Sequence, residues 1–271
     1  MIKLFVSDLD NTLFNHEKQV APEDQKALKA LMEAGLHIAL ASGRMDHELV
    51  KIGNLLQGRF HRISQNGAFI YTRDGECLQS VTFSGKLSRQ IYREAKSFEL
   101  PCFINLENEM FVAEKTDAVL AIKKRMKLSV QVLPEMDKEL GKTLFPSKIT
   151  CFGHPEKLRQ LNRHIRQTFP SQVDSFISDR DCLDFMPPGI SKGASLKKLA
   201  DEFGFKPEEI VTIGDSFNDV SMLRLTPHSF AMQHAPAEVK QHATYVVSSV
   251  HEAAEQVLAH NRKHSESLTQ T

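Results

Sequence analysis

The apolar run Ile2-Lys3-Leu4-Phe5-Val6-Ser7 ends abruptly on Asp8-Leu9-Asp10-Asn11-Thr12-Leu13. That junction limits the possible folds more than any other stretch. A short, nearly continuous apolar segment reads as a strand buried on both faces, as in a parallel sheet covered by helices. Residues two apart on a strand share a side, so Asp8 and Asp10 can face one site together. Open α/β sheets bind their ligands at the C-terminal edge of such strands. Two carboxylates that close repel each other unless they share a proton or a cation. A strand-end Asp followed by a turn Asp would look the same, so the rest of the chain has to decide.

At 271 residues the chain can form one large domain or two modest ones. Basic and acidic residues balance at 34 each, which gives no global attraction to nucleic acid or to an anionic membrane. No stretch approaches the roughly 20 apolar residues of a membrane span, and the N-terminus lacks the layout of a signal peptide. Cys77, Cys102, Cys151 and Cys182 form no C-x-x-C pair, so reduced thiols in a cytoplasmic protein are expected. The histidines are equally scattered. The one i,i+4 pair, His260 and His264, falls in a polar tail expected to be disordered, with mobility from about Arg262 to Thr271.

Strand and helix patterns alternate in the first segment. Pro22 is placed to open a helix over Glu23–Ala34, Gly35 ends it, and Leu36–Ala41 reads as the next strand. A helix follows Ser42-Gly43-Arg44, then a short strand at Ile63–Gln65, the turn Asn66-Gly67, and a hairpin of Ala68–Thr72 with Cys77–Phe83. Residues 84–187 mix hairpins and helices in the manner of an α+β domain, with a loop expected between Pro134 and Pro146. After Pro187-Pro188-Gly189 a βα series returns, with a helix at Ser191–Phe203, a strand at Ile210–Ile213, a helix at Phe217–Leu223 and a last helix at Val250–His260. The expected fold is therefore α/β. Residues 1–83 and 188–271 form a doubly wound parallel-sheet core, and residues 84–187 are inserted as an α+β domain.

Three further motifs stand at strand-to-helix edges. Gly214-Asp215-Ser216-Phe217-Asn218-Asp219 follows a buried strand, and Asp215 and Asp219 would share a helix face. Beside Asp8 and Asp10 they make an oxygen-rich site suited to Mg²⁺, although Gly-Asp-Ser is equally a turn with a helix cap. Ser42 and Gly43 begin a helix whose N–H groups suit phosphate oxygens, but Ser is also simply a good N-cap. Lys192 opens a helix, an end that disfavours cations and so is easier to explain if an anion faces it. A solvated lysine is the plain alternative.

With these motifs in this order, the chain resembles the haloacid dehalogenase superfamily, whose pattern is D-x-D-x-[TV], [ST], K and G-D-x-x-x-D. Asp8, Asp10 and Thr12, then Ser42, Lys192, and Asp215 with Asp219 match it, and D-L-D-N-T-L, A-S-G-R, N-G-A, S-K-G and G-D-S-x-N-D look like its Cof-type branch. The resemblance covers nearly the whole chain and implies a Rossmann-like core with a type IIB cap at 84–187 that supplies specificity. It departs at Met232-Gln233-His234-Ala235, where the family often has Gly-Asn-Ala.

The resemblance implies a Mg²⁺-dependent phosphatase of small phosphorylated metabolites, such as sugar phosphates, pyridoxal phosphate or flavin mononucleotide. Asp8 would be the nucleophile that forms an aspartyl-phosphate, and Asp10 the acid and then the base. Thr12 would shape the loop that holds Asp10. Asp8, the Asp10 carbonyl and Asp215 would hold the metal, with Asp219 orienting its shell. Ser42, Gly43, Lys192 and Asn218 would bind the phosphoryl group, and Asn66 could contact substrate. Arg44 could reach substrate too, although an exposed arginine on the first helical turn is the plainer reading. Lys123-Lys124-Arg125 with Lys127 reads as a solvated face, and Phe103, Phe111 and Phe152 as core. A phosphomutase would keep the same motifs. A signalling module phosphorylated on Asp8 would not need the insertion. A nicotinamide-dependent dehydrogenase is disfavoured, because no G-x-G-x-x-G follows the first strand. No nucleic-acid, membrane or obligate protein partner is expected.

Overall fold

Strand β1 (Leu4–Ser7) is buried at all four positions, as a strand needs neighbours on both sides and helices on both faces to be. The computed structural model that shows this describes residues 1–126 and 128–269. After β1 come α1 (Pro22–Glu33), β2 (His37–Ala41), α2 (Asp46–Leu55), β3 (His61–Ser64), β4 (Phe69–Tyr71) and β5 (Cys77–Ser80). The middle of the chain forms α3 (Gly85–Ser97), β6 (Cys102–Asn105), β7 (Met110–Val112), α4 (Asp117–Met126), β8 (Gln131–Val132) and α5 (Met136–Glu139). It continues through β9 (Lys148–Phe152), α6 (Pro155–Thr168), β10 (Asp174–Asp179) and β11 (Cys182–Met186). The last third is α7 (Lys192–Phe203), β12 (Ile210–Gly214), α8 (Val220–Leu223), β13 (His228–Met232), α9 (Ala237–Lys240), β14 (Tyr245–Val247) and α10 (Val250–Thr269). The chain divides into two units, one of Met1–Gln79 with the chain from Ser191 onward, the other of Ser80–Ile190.

In the first unit the sheet order is β14-β13-β12-β1-β2-β3-β4-β5. β1 runs parallel to both neighbours, with Leu4 opposite Ile210 on one side and His37 on the other. β14, β13 and β3 extend the parallel run, and β4 turns back antiparallel to β3. Side chains alternate between two cores. Phe5, Ile38, Val211 and Ile213 pack with Leu28 and Leu31 of α1 and with Val250, Ala253 and Val257 of α10. Leu4, Val6, Ala39 and Ile210 pack on the other face with Leu196 and Leu199 of α7. A fully buried aliphatic or aromatic side chain contributes about 1.5–3 kcal/mol. A one-residue slip of β1 would exchange its faces, so the two cores fix the register and with it the residues that leave the sheet edge.

The second unit is a sheet of order β10-β11-β9-β6-β7-β8, antiparallel except where β7 meets β8. Ile104, Ile149, Cys151, Leu183 and Phe185 face the apolar sides of α3 and α6. Phe103, Val112, Phe152 and Cys182 form the opposite face with Val119 of α4, and Phe111 is half-buried. These aromatics are core, and Lys127 lies outside the described residues.

The structure corrects some expected elements. A turn of helix, α5, occupies the loop expected after Pro134, and α9 is likewise a single turn. Segments that short carry no usable periodicity. Phe217–Asp219 is a 3-10 turn, with helix only from Val220. α10 runs to Thr269 instead of stopping at His260, and the His260 and His264 rings stack 6.4 Å apart on it. The Asn261 side chain anchors this extension, accepting from the Ile2 N–H at 2.7 Å and donating to the Ile2 carbonyl at 2.9 Å. Gln270 and Thr271 lie outside the described residues.

Between β3 and β4 the chain passes through three residues of left-handed backbone, Gln65 (φ 46°), Asn66 (φ 56°) and Gly67 (φ 110°). A Cβ on Gly67 would sit 2.5 Å from Ser195 Oγ and 2.6 Å from the Ser191 carbonyl oxygen, so the start of α7 packs where only glycine fits. Gly67→Ala is therefore expected to lower stability by about 1–3 kcal/mol in urea unfolding.

His61 and His37 stack at the start of adjacent strands, 5.1 Å apart, with a 2.9 Å contact between His61 Nε2 and His37 Nδ1. The Arg73 N–H donates to His61 Nδ1 at 3.1 Å, so neutral His61 carries its proton on Nε2 and donates to His37. Burial first, then His37 and Arg73, pushes the His61 pKa down to about 3. Below about pH 6.5 the unfolded chain takes up a proton there that the folded chain refuses. Stability should thus fall as the pH drops from about 7 to 5, by up to about 1.4 kcal/mol per pH unit from this group. Urea titrations of wild type and His61→Gln over that range should show a shallower slope in the variant.

Candidate active site

β12, β1 and β2 lie side by side and parallel, so the residues that follow them emerge at one edge. Those residues are Asp215, Asp8 and Ser42. The Asp8 N–H donates to the Ile213 carbonyl at 3.0 Å and the Ser42 N–H to the Ile63 carbonyl at 2.8 Å, which continues the sheet pattern one residue further. α7 brings Lys192 to the same edge. Its N-cap is Ser191, whose hydroxyl accepts from the Ala194 N–H at 3.1 Å.

Lys192 is fully buried, with Nζ 2.6 Å from an oxygen of Asp8 and 2.6 Å from an oxygen of Asp219. The second Asp219 oxygen accepts the N–H groups of Asp215 (3.0 Å) and Ser216 (2.9 Å). Thr12 Oγ1 donates to Asp215 at 3.3 Å, a partner the sequence reading did not assign to it. One oxygen each from Asp8, Asp215 and Asp219 lies within 4.8 Å of the others. Burial, then Asp219, pushes the Asp215 carboxyl up to about 6. Burial and Asp219 also lift Asp8 well above the usual carboxylate range, against the pull of Lys192. Lys192 stays charged. Burial opposes its charge, but Asp219 and Asp8 overcome that and raise its pKa. Such an oxygen-only cluster, with more negative charge than one lysine neutralises, is the donor set that suits Mg²⁺.

Asp10 stands apart from this carboxylate group. β1 ends at Ser7, and the chain turns through Asn11 (φ 60°), so strand alternation does not govern where the two carboxylates point. Arg44 grips Asp10 with both ends of its fork, Nη2 to Oδ1 at 2.6 Å and Nε to Oδ2 at 2.7 Å. Burial works against the Asp10 carboxylate, but the Arg44 hydrogen bonds and charge prevail and hold its pKa below the usual value. Arg44 is therefore no exposed residue of the first helical turn. It precedes α2, its side chain is 20% exposed, it also bonds Glu48 at 3.1 Å, and it lies over the Phe14 ring. The segment it occupies is pinned before the helix starts, because the Gln65 N–H donates to the Arg44 carbonyl and the Asn66 N–H to the Ser42 carbonyl.

Ser42 is buried, and its hydroxyl accepts from the Arg44 N–H at 3.2 Å. Asn218 Nδ2 donates to Asn66 Oδ1 at 3.0 Å, and a Cβ on Gly43 would lie 3.2 Å from that same oxygen. The four residues Ser42, Gly43, Asn66 and Asn218 thus adjoin. Asn66 Nδ2 and Asn218 Oδ1 are buried without a hydrogen-bond partner. Leaving such groups unpaired costs about 1–3 kcal/mol each. His234, in the segment that departs from the family pattern, places Nε2 3.8 Å from Asp215 Oδ2, with the His16 ring 6.3 Å away. That departure from Gly-Asn-Ala was the only sequence signal for it.

Comparisons with known proteins find similarity along nearly the whole chain. The family profile of haloacid dehalogenase-like hydrolases matches residues 5–255. The 5-amino-6-(5-phospho-D-ribitylamino)uracil phosphatase YwtE of Bacillus subtilis (strain 168) is 25% identical, over 92% of this chain and 93% of its own. The HMP-PP phosphatase of Serratia proteamaculans (strain 568) is 27% identical, over 89% of this chain and 87% of its own. Among solved structures, a haloacid dehalogenase-like hydrolase from Bacteroides thetaiotaomicron superposes with a TM-score of 0.84 at 25% identity, covering 95% of this chain and all of its own. With its four sequence motifs gathered at one sheet edge and the profile spanning nearly its whole length, the chain belongs to the haloacid dehalogenase-like hydrolases, in their Cof-type branch.

Proposed function

We propose that the protein hydrolyses phosphate monoesters of small metabolites through an aspartyl-phosphate on Asp8. The observation that carries this reading is the position of Asp8, at the end of the central strand, bonded to buried Lys192 and grouped with two further carboxylates. Asp8 attacks phosphorus, and the bond to the leaving oxygen breaks. Lys192, Ser42 and the backbone at Gly43 stabilise the phosphoryl oxygens, with Asn218 and Asn66 supplying amide groups beside them. Asp10 protonates the leaving oxygen and later takes a proton from the water that hydrolyses the intermediate. Arg44 favours the carboxylate form needed for the second of these steps, so it has to loosen its grip for the first.

Mg²⁺ fits the oxygen donors present. Asp8, Asp215 and the Asp10 carbonyl would hold it, and Asp219, already committed to Lys192 and two N–H groups, would keep the others in place. The ion would supply charge neutralisation between the nucleophile and the phosphate. Residues 80–190 would act as the specificity domain, an assignment that rests on family analogy. Two relatives are named as phosphatases of 5-amino-6-(5-phospho-D-ribitylamino)uracil and HMP-PP. Those names support a small phosphorylated metabolite as substrate, with sugar phosphates, pyridoxal phosphate and flavin mononucleotide as the first to try.

Phosphate release from a panel of such esters tests the reading. Turnover should vanish on chelation and return with Mg²⁺, and Asp8→Asn should lower kcat by about 10³-fold or more. Undiminished turnover in Asp8→Asn would overturn the mechanism. Arg44→Met should raise the Asp10 pKa toward the ordinary carboxylate range, so the limb of the pH–rate profile that reports Asp10 should move to higher pH. An unmoved limb would mean that Asp10 does not govern that limb.

A further inference from the structure

Of the four cysteines, two stand directly opposite each other. In the second unit, β6 and β9 pair antiparallel with Cys102 across from Cys151. The neighbouring position carries the ladder bond, from the Phe152 N–H to the Pro101 carbonyl at 3.0 Å. Hydrogen-bonded and non-hydrogen-bonded pairs alternate along an antiparallel ladder, so the Cys102–Cys151 pair is of the closer, non-hydrogen-bonded kind, with Cα atoms about 4.5 Å apart. Disulfides span Cα separations of about 4.4–6.8 Å. The two Sγ atoms are already 3.4 Å apart.

We propose that Cys102 and Cys151 form a peroxide-sensitive site that closes reversibly to a disulfide. Access and environment divide the two roles. Cys102 is partly exposed and Cys151 fully buried. The contact with Cys102 and burial hold the Cys151 thiol well above its ordinary pKa, so the first reaction falls on Cys102. The Cys102 sulfur attacks hydrogen peroxide, the O–O bond breaks, and a sulfenic acid and one water result. The Cys151 sulfur then attacks that of Cys102. The S–O bond breaks, hydroxide leaves with the Cys151 proton as a second water, and the S–S bond forms. The two sulfurs together lose two electrons, and the peroxide gains them.

The other thiols are excluded by position. Cys182 lies on the opposite face of the sheet, with Phe103 and Phe152, whereas Cys151 and Cys102 belong with the core under α3 and α6. Cys77 is exposed on β5, a strand of the first unit's sheet, and serves as an internal reference for simple oxidation. The bond would join β6 to β9, the middle seam of the six-stranded sheet. It requires nothing from the Asp8 site, so its test is independent of the proposed reaction.

The full-length protein is treated with hydrogen peroxide, denatured, titrated for thiols and mapped by mass spectrometry. Two of the four thiols should be lost to a cross-link, with a mass decrease of two hydrogen atoms and a linked peptide joining Cys102 to Cys151. Dithiothreitol should restore both. In Cys151→Ala the sulfenic acid on Cys102 should persist and be captured by dimedone, an adduct wild type should not give. Oxidation of Cys77 while Cys102 and Cys151 remain free thiols would overturn the proposal, and so would a cross-link through Cys182. The wild-type map decides the matter even if the variant does not fold.

Discussion

The site is organised around one buried lysine. A fully buried ammonium is tolerated only with partners, and Lys192 has Asp8 on one side and Asp219 on the other. Removing one partner of such a buried pair generally costs about 3–5 kcal/mol, because the remaining charge is left uncompensated. The lysine thereby ties α7 to the ends of β1 and β12 and fixes an oxygen of the central carboxylate. Asp219 reaches back to the N–H groups of Asp215 and Ser216, so the turn after β12 is shaped by the same carboxylate that holds the lysine. Structure and charge balance depend on each other at this edge.

A second ion pair works differently. Arg44 and Asp10 lie at the rim, partly exposed, and their forked contact can open at far lower cost than the buried one. The result is one buried, lysine-bound carboxylate and one arginine-bound carboxylate at the rim, two residues apart. Their environments push the two pKa values in opposite directions, Asp8 up by burial and its acidic neighbours, Asp10 down by its arginine.

Much of this was legible in the sequence where a residue's environment follows from local pattern. The apolar run before Asp8 and that before Asp215 mark buried strands, and parallel pairing then sets both acids at one edge. Lys192 at a helix start signalled an anion nearby, and the structure supplies two. What escaped depends on contacts between distant segments. Arg44 reads as a helical residue until the turn at Gln65–Gly67 pins its backbone, and Thr12 reads as a loop former until Asp215 arrives beside it. The polar helix beyond His260 has no periodicity to announce it, because a side-chain clamp from Asn261 to Ile2 holds it in place. Single-turn helices such as α5 leave too short a pattern to detect.

The placement of β1 between β2 and β12 also bears on how the chain is made. β2 follows β1 closely in sequence, but β12 comes after the whole middle unit. During synthesis from the N-terminus, a strand buried at every position in the finished fold therefore waits with one edge unpaired while more than a hundred residues are added. The carboxylate cluster cannot exist in that interval, since Asp215 and Asp219 have not yet been made. A chain stopped short of β12 would carry a sticky strand edge and half a site, so a premature end yields an aggregation-prone fragment without the assembled carboxylate cluster.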